Sequence, residues 1–318
     1  MESGTTALKH KSLFFVFTDK NLFLVPEREY NSFQKDKEGC TCLKRKHLSE
    51  VTDRDAERVI CIVCHGEAAP EDFVSPLCRQ MHFVLCRECI DYLKKRTDRR
   101  EVVCPYCKER ESDKAYQEEI LDAVLSLMPH QTLKRLELRP NIEVKTATKL
   151  TRETKVVLSN VAVSDSLFFR LMARTTVKIK KRISLFGRDS SLGWCIGEFG
   201  WRANEPINIC FDGHTDKEMK QIHENIKTIS RKSIQINAGE IHAKEDGVYF
   251  LLKVWTSAGE YSPDLFLESS KREHIKEFLK EENSRIWIGK VKRLDLRGYA
   301  QALVERRKRN REAFFGFR

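Results

Sequence analysis

Four pairs of metal-ligating side chains within residues 61–107 constrain this chain more than anything else in it. In order they are Cys61 and Cys64, Cys78 and His82, Cys86 and Cys89, and Cys104 and Cys107. Two residues separate the members of each Cys–Cys pair, and three separate Cys78 from His82. A spacing of two lets both thiolates reach one tetrahedral zinc at about 2.3 Å. Eight ligands suffice for two closed structural sites, so two Zn2+ per chain are expected. A segment this short cannot bury an adequate core, and metal would supply the missing folding energy. The competing readings are a disulfide cluster, which needs an oxidising compartment, and two unrelated zinc knuckles, each completed locally.

The ligand order over residues 59–110 resembles the RING finger family, whose seven cysteines and one histidine are cross-braced. The resemblance implies one zinc on Cys61, Cys64, Cys86 and Cys89, and a second on Cys78, His82, Cys104 and Cys107. It also implies an activity, that of a RING-type ubiquitin ligase. Such a protein recruits a ubiquitin-conjugating enzyme charged with ubiquitin and promotes transfer to a substrate lysine. It has no covalent nucleophile and acts by positioning. Three residues match the family's shallow apolar groove for the conjugating enzyme: Val63 before the second ligand, Leu93 four residues after Cys89, and Pro105 after Cys104. Lys108, directly after the last ligand, matches the basic linchpin that contacts both enzyme and ubiquitin. Arginine is the stronger choice there, because its planar fork makes several hydrogen bonds at once. Two further departures are the gap of three before His82 and Leu85, where an aromatic often precedes the fifth cysteine.

The expected fold class is α+β: a small cross-braced two-zinc module followed by a mixed α+β domain. Residues 1–48 read as a hairpin and basic linker, 49–128 as the RING with flanking helices, and 129–318 as the partner-selecting domain with a basic C-terminal helix. The hairpin rests on apolar residues 13–17 and 22–25 flanking Thr18-Asp19-Lys20-Asn21. Residues 49–59 suit a short helix leading into the RING. After it, Ser112 would cap a helix ending before Pro129, with Tyr116, Ile120, Leu121, Val124, Leu127 and Met128 on one stripe. Helices flanking a RING offer a route to a dimer, and docking of the stripe on the downstream domain is the plainer expectation. Strands are expected at 156–163, 175–186, 207–211, 233–241, 248–255 and 286–291. The continuous apolar run from Val248 suits a buried central strand, and Asp246-Gly247 a hairpin turn before it. Thr215-x-x-Glu218 and Ser270-x-x-Glu273 are capping boxes. Gly193, Gly197 and Gly200, interleaved with Trp194, Phe199 and Trp201, suit a tight turn or sheet edge rather than a nucleotide fingerprint.

Charge supplies a second line. Lys+Arg number 58 against 47 Asp+Glu, a formal +11, with 33% charged residues and no apolar run near membrane-spanning length. No membrane partner is therefore expected, and the absence of a signal-like core makes an intracellular setting the expectation, nuclear ahead of cytoplasmic. Cys40, Cys42, Cys195 and Cys210 are expected as free thiols. Lys178, Lys180 and Arg182 share one face of a strand pattern whose other face is apolar. Arg306-Arg307-Lys308-Arg309 lies on an expected helix starting at Tyr299. These runs define the alternative function: a nucleic-acid-binding regulator that uses its RING as an assembly module, rather than a ligase acting on an unidentified protein substrate.

Overall fold

The computed structural model describes residues 6–18, 21–34, 59–69, 72–74, 85–97, 125, 130–188, 193–201, 205–256, 262–273 and 291–303. Strands β1 (Thr6–His10), β2 (Leu13–Phe17) and β3 (Leu22–Pro26) form an antiparallel meander that runs into α1 (Glu27–Gln34). The β2–β3 hairpin pairs as expected, and at its closed end Asn21 N donates to Thr18 Oγ1 at 3.0 Å. Its strands are apolar on both faces because both are covered. Phe15, Phe17, Leu22 and Leu24 enter the main core, while Val16, Phe23 and Val25 pack with Leu125 on the other side. Leu125 is the one described residue of the helix expected from Ser112 to before Pro129, and it is fully buried against the hairpin.

The cysteine segment forms four two-residue strands: β4 (Val59–Ile60), β5 (Glu67–Ala68), β6 (Phe73–Val74) and β7 (Leu85–Cys86). They pair as β4 with β5 and β6 with β7, and α2 (Arg87–Thr97) follows. Val59, expected to end a helix, therefore lies in a strand. Next come β8 (Gln131–Thr132), β9 (Arg135–Glu137) and β10 (Thr148–Leu150). β10 lies between β3 and β8, with Thr148 opposite Leu24, so the N-terminal hairpin is part of a five-stranded sheet.

The remainder is a stack of coils. β11 (Lys155–Leu158) bends into β12 (Val161–Ser164), and α3 (Asp165–Arg174) returns to β13 (Thr176–Ile179), which bends into β14 (Ile183–Phe186). After an excursion through β15 (Ile196–Glu198) come β16 (Ile207–Ile209) and α4 (Asp216–Thr228). β17 (Ile234–Asn237), β18 (Glu240–Lys244) and α5 (Asp246–Val254) make the next coil. β19 (Trp255–Thr256), β20 (Asp264–Ser269) and β21 (Arg293–Gly298) follow, and a 3-10 turn spans Tyr299–Gln301. Successive coils lay their strands in register in three sheets, ordered β13-β11-β9, β15-β12-β14-β17-β19 and β16-β18-β20-β21. All pairings in them are parallel except that of β15, an antiparallel edge strand. Each coil alone cannot cover its apolar face, and stacking does so, as in solenoids.

This architecture corrects several strand expectations. The runs 156–163, 175–186 and 233–241 are each two short strands in different sheets, split by a bend. At the first bend Asn160 has φ 53°, which no strand sustains. The strand expected at 248–255 is mostly helix α5. Gly247, Phe250, Leu251 and Val254 are buried at helical spacing, while Tyr249 and Leu252 are half-buried. A short apolar run buried on several sides does not reveal its period. Asp246-Gly247 opens this helix rather than making a hairpin turn. A Cβ at Gly247 would stand 2.1 Å from the Ile209 carbonyl oxygen, so glycine is required by close approach of two coils. The strand expected at 286–291 lies outside the described residues apart from Val291.

The Thr215 capping box forms as expected: Thr215 Oγ1 accepts from Glu218 N at 3.4 Å and Glu218 Oε2 accepts from Thr215 N at 2.9 Å. Of the segment after Ser270, residues 274–290 lie outside the described set. The glycine-rich excursion contains edge strand β15, in which a Cβ at Gly197 would meet the Trp194 ring at 3.0 Å, and Gly200 takes φ +86° in the turn that follows. Phe168 and Phe169 of α3, Phe211 after β16 and Phe250 of α5 interlock at centroid separations of 5.5–6.1 Å, joining three coils in one core.

Candidate metal centre

Cys61 and Cys64 lie on a tight loop between β4 and β5. Its turn is closed by His65 N donating to Cys61 O at 2.8 Å and Cys61 N donating to Gly66 O at 2.9 Å. His65 takes φ 56° to make that turn and stays exposed. The loop aims amide hydrogens at sulfur: Gly66 N donates to Cys64 Sγ at 3.4 Å, and Cys86 N to Cys61 Sγ at 3.3 Å. Cys86 ends β7 and Cys89 sits in the first turn of α2. The strand-to-helix junction therefore delivers the second pair to the first.

The four sulfurs of Cys61, Cys64, Cys86 and Cys89 lie within 4.8 Å of one another. Two vertices of a tetrahedron about 2.3 Å from its centre are about 3.8 Å apart. Cys64 Sγ and Cys86 Sγ are separated by 3.8 Å. The donor set thus fits a tetrahedral thiolate-binding ion. Its electrostatics point the same way. Burial opposes a charge on Cys61, but the backbone N–H groups of Cys64, Cys86 and Val63 outweigh it and bring that thiol down to about 6. Cys86 and Cys89 are held up by burial, and neighbouring thiols disfavour further ionisation. A divalent cation among them relieves that repulsion and favours all four thiolates.

The pairs that converge are the first and third along the chain. Cys78, His82, Cys104 and Cys107, with Pro105 and Lys108, lie outside the described residues, as do Cys40 and Cys42. Val63 is exposed on the loop between the first two ligands, and Leu93 is half-buried on α2. Three apolar neighbours carry no motif in the sequence: Ile60, Ile62 and Tyr92 are 56%, 39% and 58% exposed, so the loop and the helix both present apolar surface beside the cysteines. The available signal was the density of apolar residues in a module too small to bury them all.

The other cysteines are differently placed. Cys195 is fully buried and burial pushes its thiol up to about 12, against a weaker opposing pull from Arg188. Cys210 Sγ donates to Asp212 Oδ2 at 3.1 Å, and burial raises its thiol too. Lys178 is exposed on β13, and Lys180 and Arg182 are exposed on the bend that follows it. The strand expected to carry all three ends at Ile179, so only Lys178 lies on a pleated face and the other two lie on the bend. Arg306, Arg307, Lys308 and Arg309 lie outside the described residues. Among the described residues, no helix is long and apolar enough to cross a membrane. No protein-family model, curated protein or solved structure matches this chain.

Proposed function

We propose that this protein is a RING-type ubiquitin ligase whose cysteine segment binds two zinc ions and whose coiled C-terminal half selects the target. The observation carrying this reading is the meeting of Cys61 and Cys64 with Cys86 and Cys89 across the intervening Cys78–His82 pair. Such a meeting is what the first half of a cross-brace requires, and the four remaining ligands are in sequence positions to complete the second. Zinc, when bound, supplies a structural cross-link and no reactive chemistry. The chain's own residues do the rest. Val63 and Leu93, on the two elements that carry the ligands, offer apolar contacts to a conjugating enzyme, with Ile62 and Tyr92 extending the same surface. Pro105 and Lys108 would complete the groove and the linchpin. Holding the ubiquitin thioester in a reactive pose reduces the conformational freedom lost on the way to attack by a lysine amine.

The test is self-ubiquitination with purified ubiquitin, activating enzyme and a broad panel of conjugating enzymes. Wild-type protein should build ubiquitin conjugates, and Val63→Ala and Leu93→Ala should retain zinc while losing most transfer. Inactivity of zinc-replete wild type with the whole panel would sink the ligase assignment.

A further inference from the structure

Stacking of coils brings together basic residues that are far apart in the sequence. Lys178 on β13 and Lys180, Lys181 and Arg182 on the following bend are all exposed. On the neighbouring coil, the segment leading into β17 carries Arg231 and Lys232, also exposed. The two segments are adjacent because Ile183 lies opposite Ile234, and Ile183 N donates to Ser233 O at 3.1 Å. On the other side, Asn160 N donates to Arg182 O at 3.1 Å. Asn160 and Lys232 adopt matching left-handed backbones, φ 53° and 54°, at their bends. A ladder of bends thus runs across the approach to the central sheet.

Neighbouring strands lie about 4.8 Å apart, and Lys181 and Lys232, each two positions before the paired Ile183 and Ile234, run side by side. Segments 176–182 and 229–233 contain no carboxylate of their own, and the flanking edge strand places the exposed Glu198 opposite Val161. The fold therefore gathers cations from separate coils on one ladder, to which a polyanion binds with release of its own counterions. None of the large exposed apolar side chains among the described residues lies on this row. A protein partner would want an apolar or aromatic anchor and few lysines at its centre. A phosphate backbone needs only cations and small donors, such as Asn160 supplies.

We propose that the ridge formed by Lys178, Lys180, Lys181, Arg182 and Lys232 is a contact surface for the phosphodiester backbone of a nucleic acid. Binding there is independent of base sequence, and it stands whether or not the cysteine module is a ligase.

The experiment is fluorescence anisotropy of the full-length protein with a short fluorescein-labelled RNA strand and with a DNA duplex of the same sequence, over a salt series. The variant Lys178→Glu/Lys180→Glu/Arg182→Glu should lower the slope of log K against log salt by about three, one for each phosphate no longer neutralised. The milder Lys178→Gln/Lys180→Gln/Arg182→Gln should do the same with an unchanged melting temperature. A control, Lys145→Glu/Lys217→Glu/Lys220→Glu, makes the same net-charge change at exposed positions elsewhere and should keep the wild-type slope. Equal loss in ridge and control variants would overturn the proposal. So would displacement of the probe by poly-glutamate as readily as by unlabelled RNA, which would point to an acidic protein instead.

Discussion

The side chain of Asn225, buried on α4, accepts a hydrogen bond from the backbone N–H of Val177 on β13 at 2.8 Å. Its Nδ2 donates to the carbonyls of Met172 and Thr175, both at 2.8 Å. One amide thus satisfies three backbone groups at the corner where α3 turns into β13, and ties that corner to the helix of the next coil. Removing it leaves a buried donor and weakens two buried acceptors. Asn225→Ala should cost about 3 kcal/mol, read as a lower denaturant midpoint at unchanged slope. Asn225→Asp should also destabilise, because a carboxylate cannot donate to either carbonyl.

Close approach between coils gives a second expectation. At Gly247 an added Cβ would stand 2.1 Å from the Ile209 carbonyl oxygen, whereas at Gly239 nothing lies within 4 Å. Gly247→Ala must push α5 away from β16, and a loss of about 3 kcal/mol is expected. Gly239→Ala should be neutral or slightly stabilising, since it lowers the freedom of the unfolded chain. Equal thermal midpoints for the two variants would contradict this packing.

What the sequence exposes depends on how locally each feature is determined. The β2–β3 hairpin, the Thr215 capping box and the paired cysteines are legible because each is decided within about four residues of chain. The mixed helix and strand content was legible for the same reason. The coil stack was not. Residues 156–163 are rich in valine and read as one strand, and only the stacking of Asn160 on Arg182 shows that the chain turns there. The run from Val248 to Leu252 is apolar throughout, so neither a two-residue nor a 3.6-residue period shows in it. At the metal centre the ligand types are visible, but the convergence of first and third pairs is a matter of tertiary path. Likewise, the basic run at 178–182 was visible, whereas its alignment with Lys232 follows only from parallel register.

The cysteine cluster predicts a selective loss of metal. Cys64→Ser should remove one equivalent of bound metal per chain, measured by atomic emission after gel filtration, while Cys210→Ser removes none. Chelation should abolish signals from the module around α2 before those of the coil stack, because the stack is held by a conventional apolar core rather than by metal. Uniform loss of all native signals on chelation would show instead that the two parts unfold as one.

His10 makes the fold sensitive to acid. Its ring is fully buried, with Nε2 donating to Pro140 O at 3.1 Å and Nδ1 accepting from Cys195 N at 3.4 Å. This arrangement joins β1, the loop before β10 and the approach to β15, and it requires a neutral imidazole. Burial lowers the ring's proton affinity below its ordinary 6.5, against an opposing pull from the Pro140 carbonyl, with nearby Lys11 adding to the lowering. The unfolded chain therefore binds more protons than the folded one as pH falls through 6.5. The stability held by the neutral ring is complete above that value and declines towards the lower folded-state value. His214, whose ring is also lowered chiefly by burial, adds to the same slope. Chemical denaturation between neutral and mildly acidic pH should show a falling unfolding free energy. In His10→Gln, which can keep both hydrogen bonds but does not titrate, the fall should be shallower. An unchanged slope in that variant would remove His10 as the source.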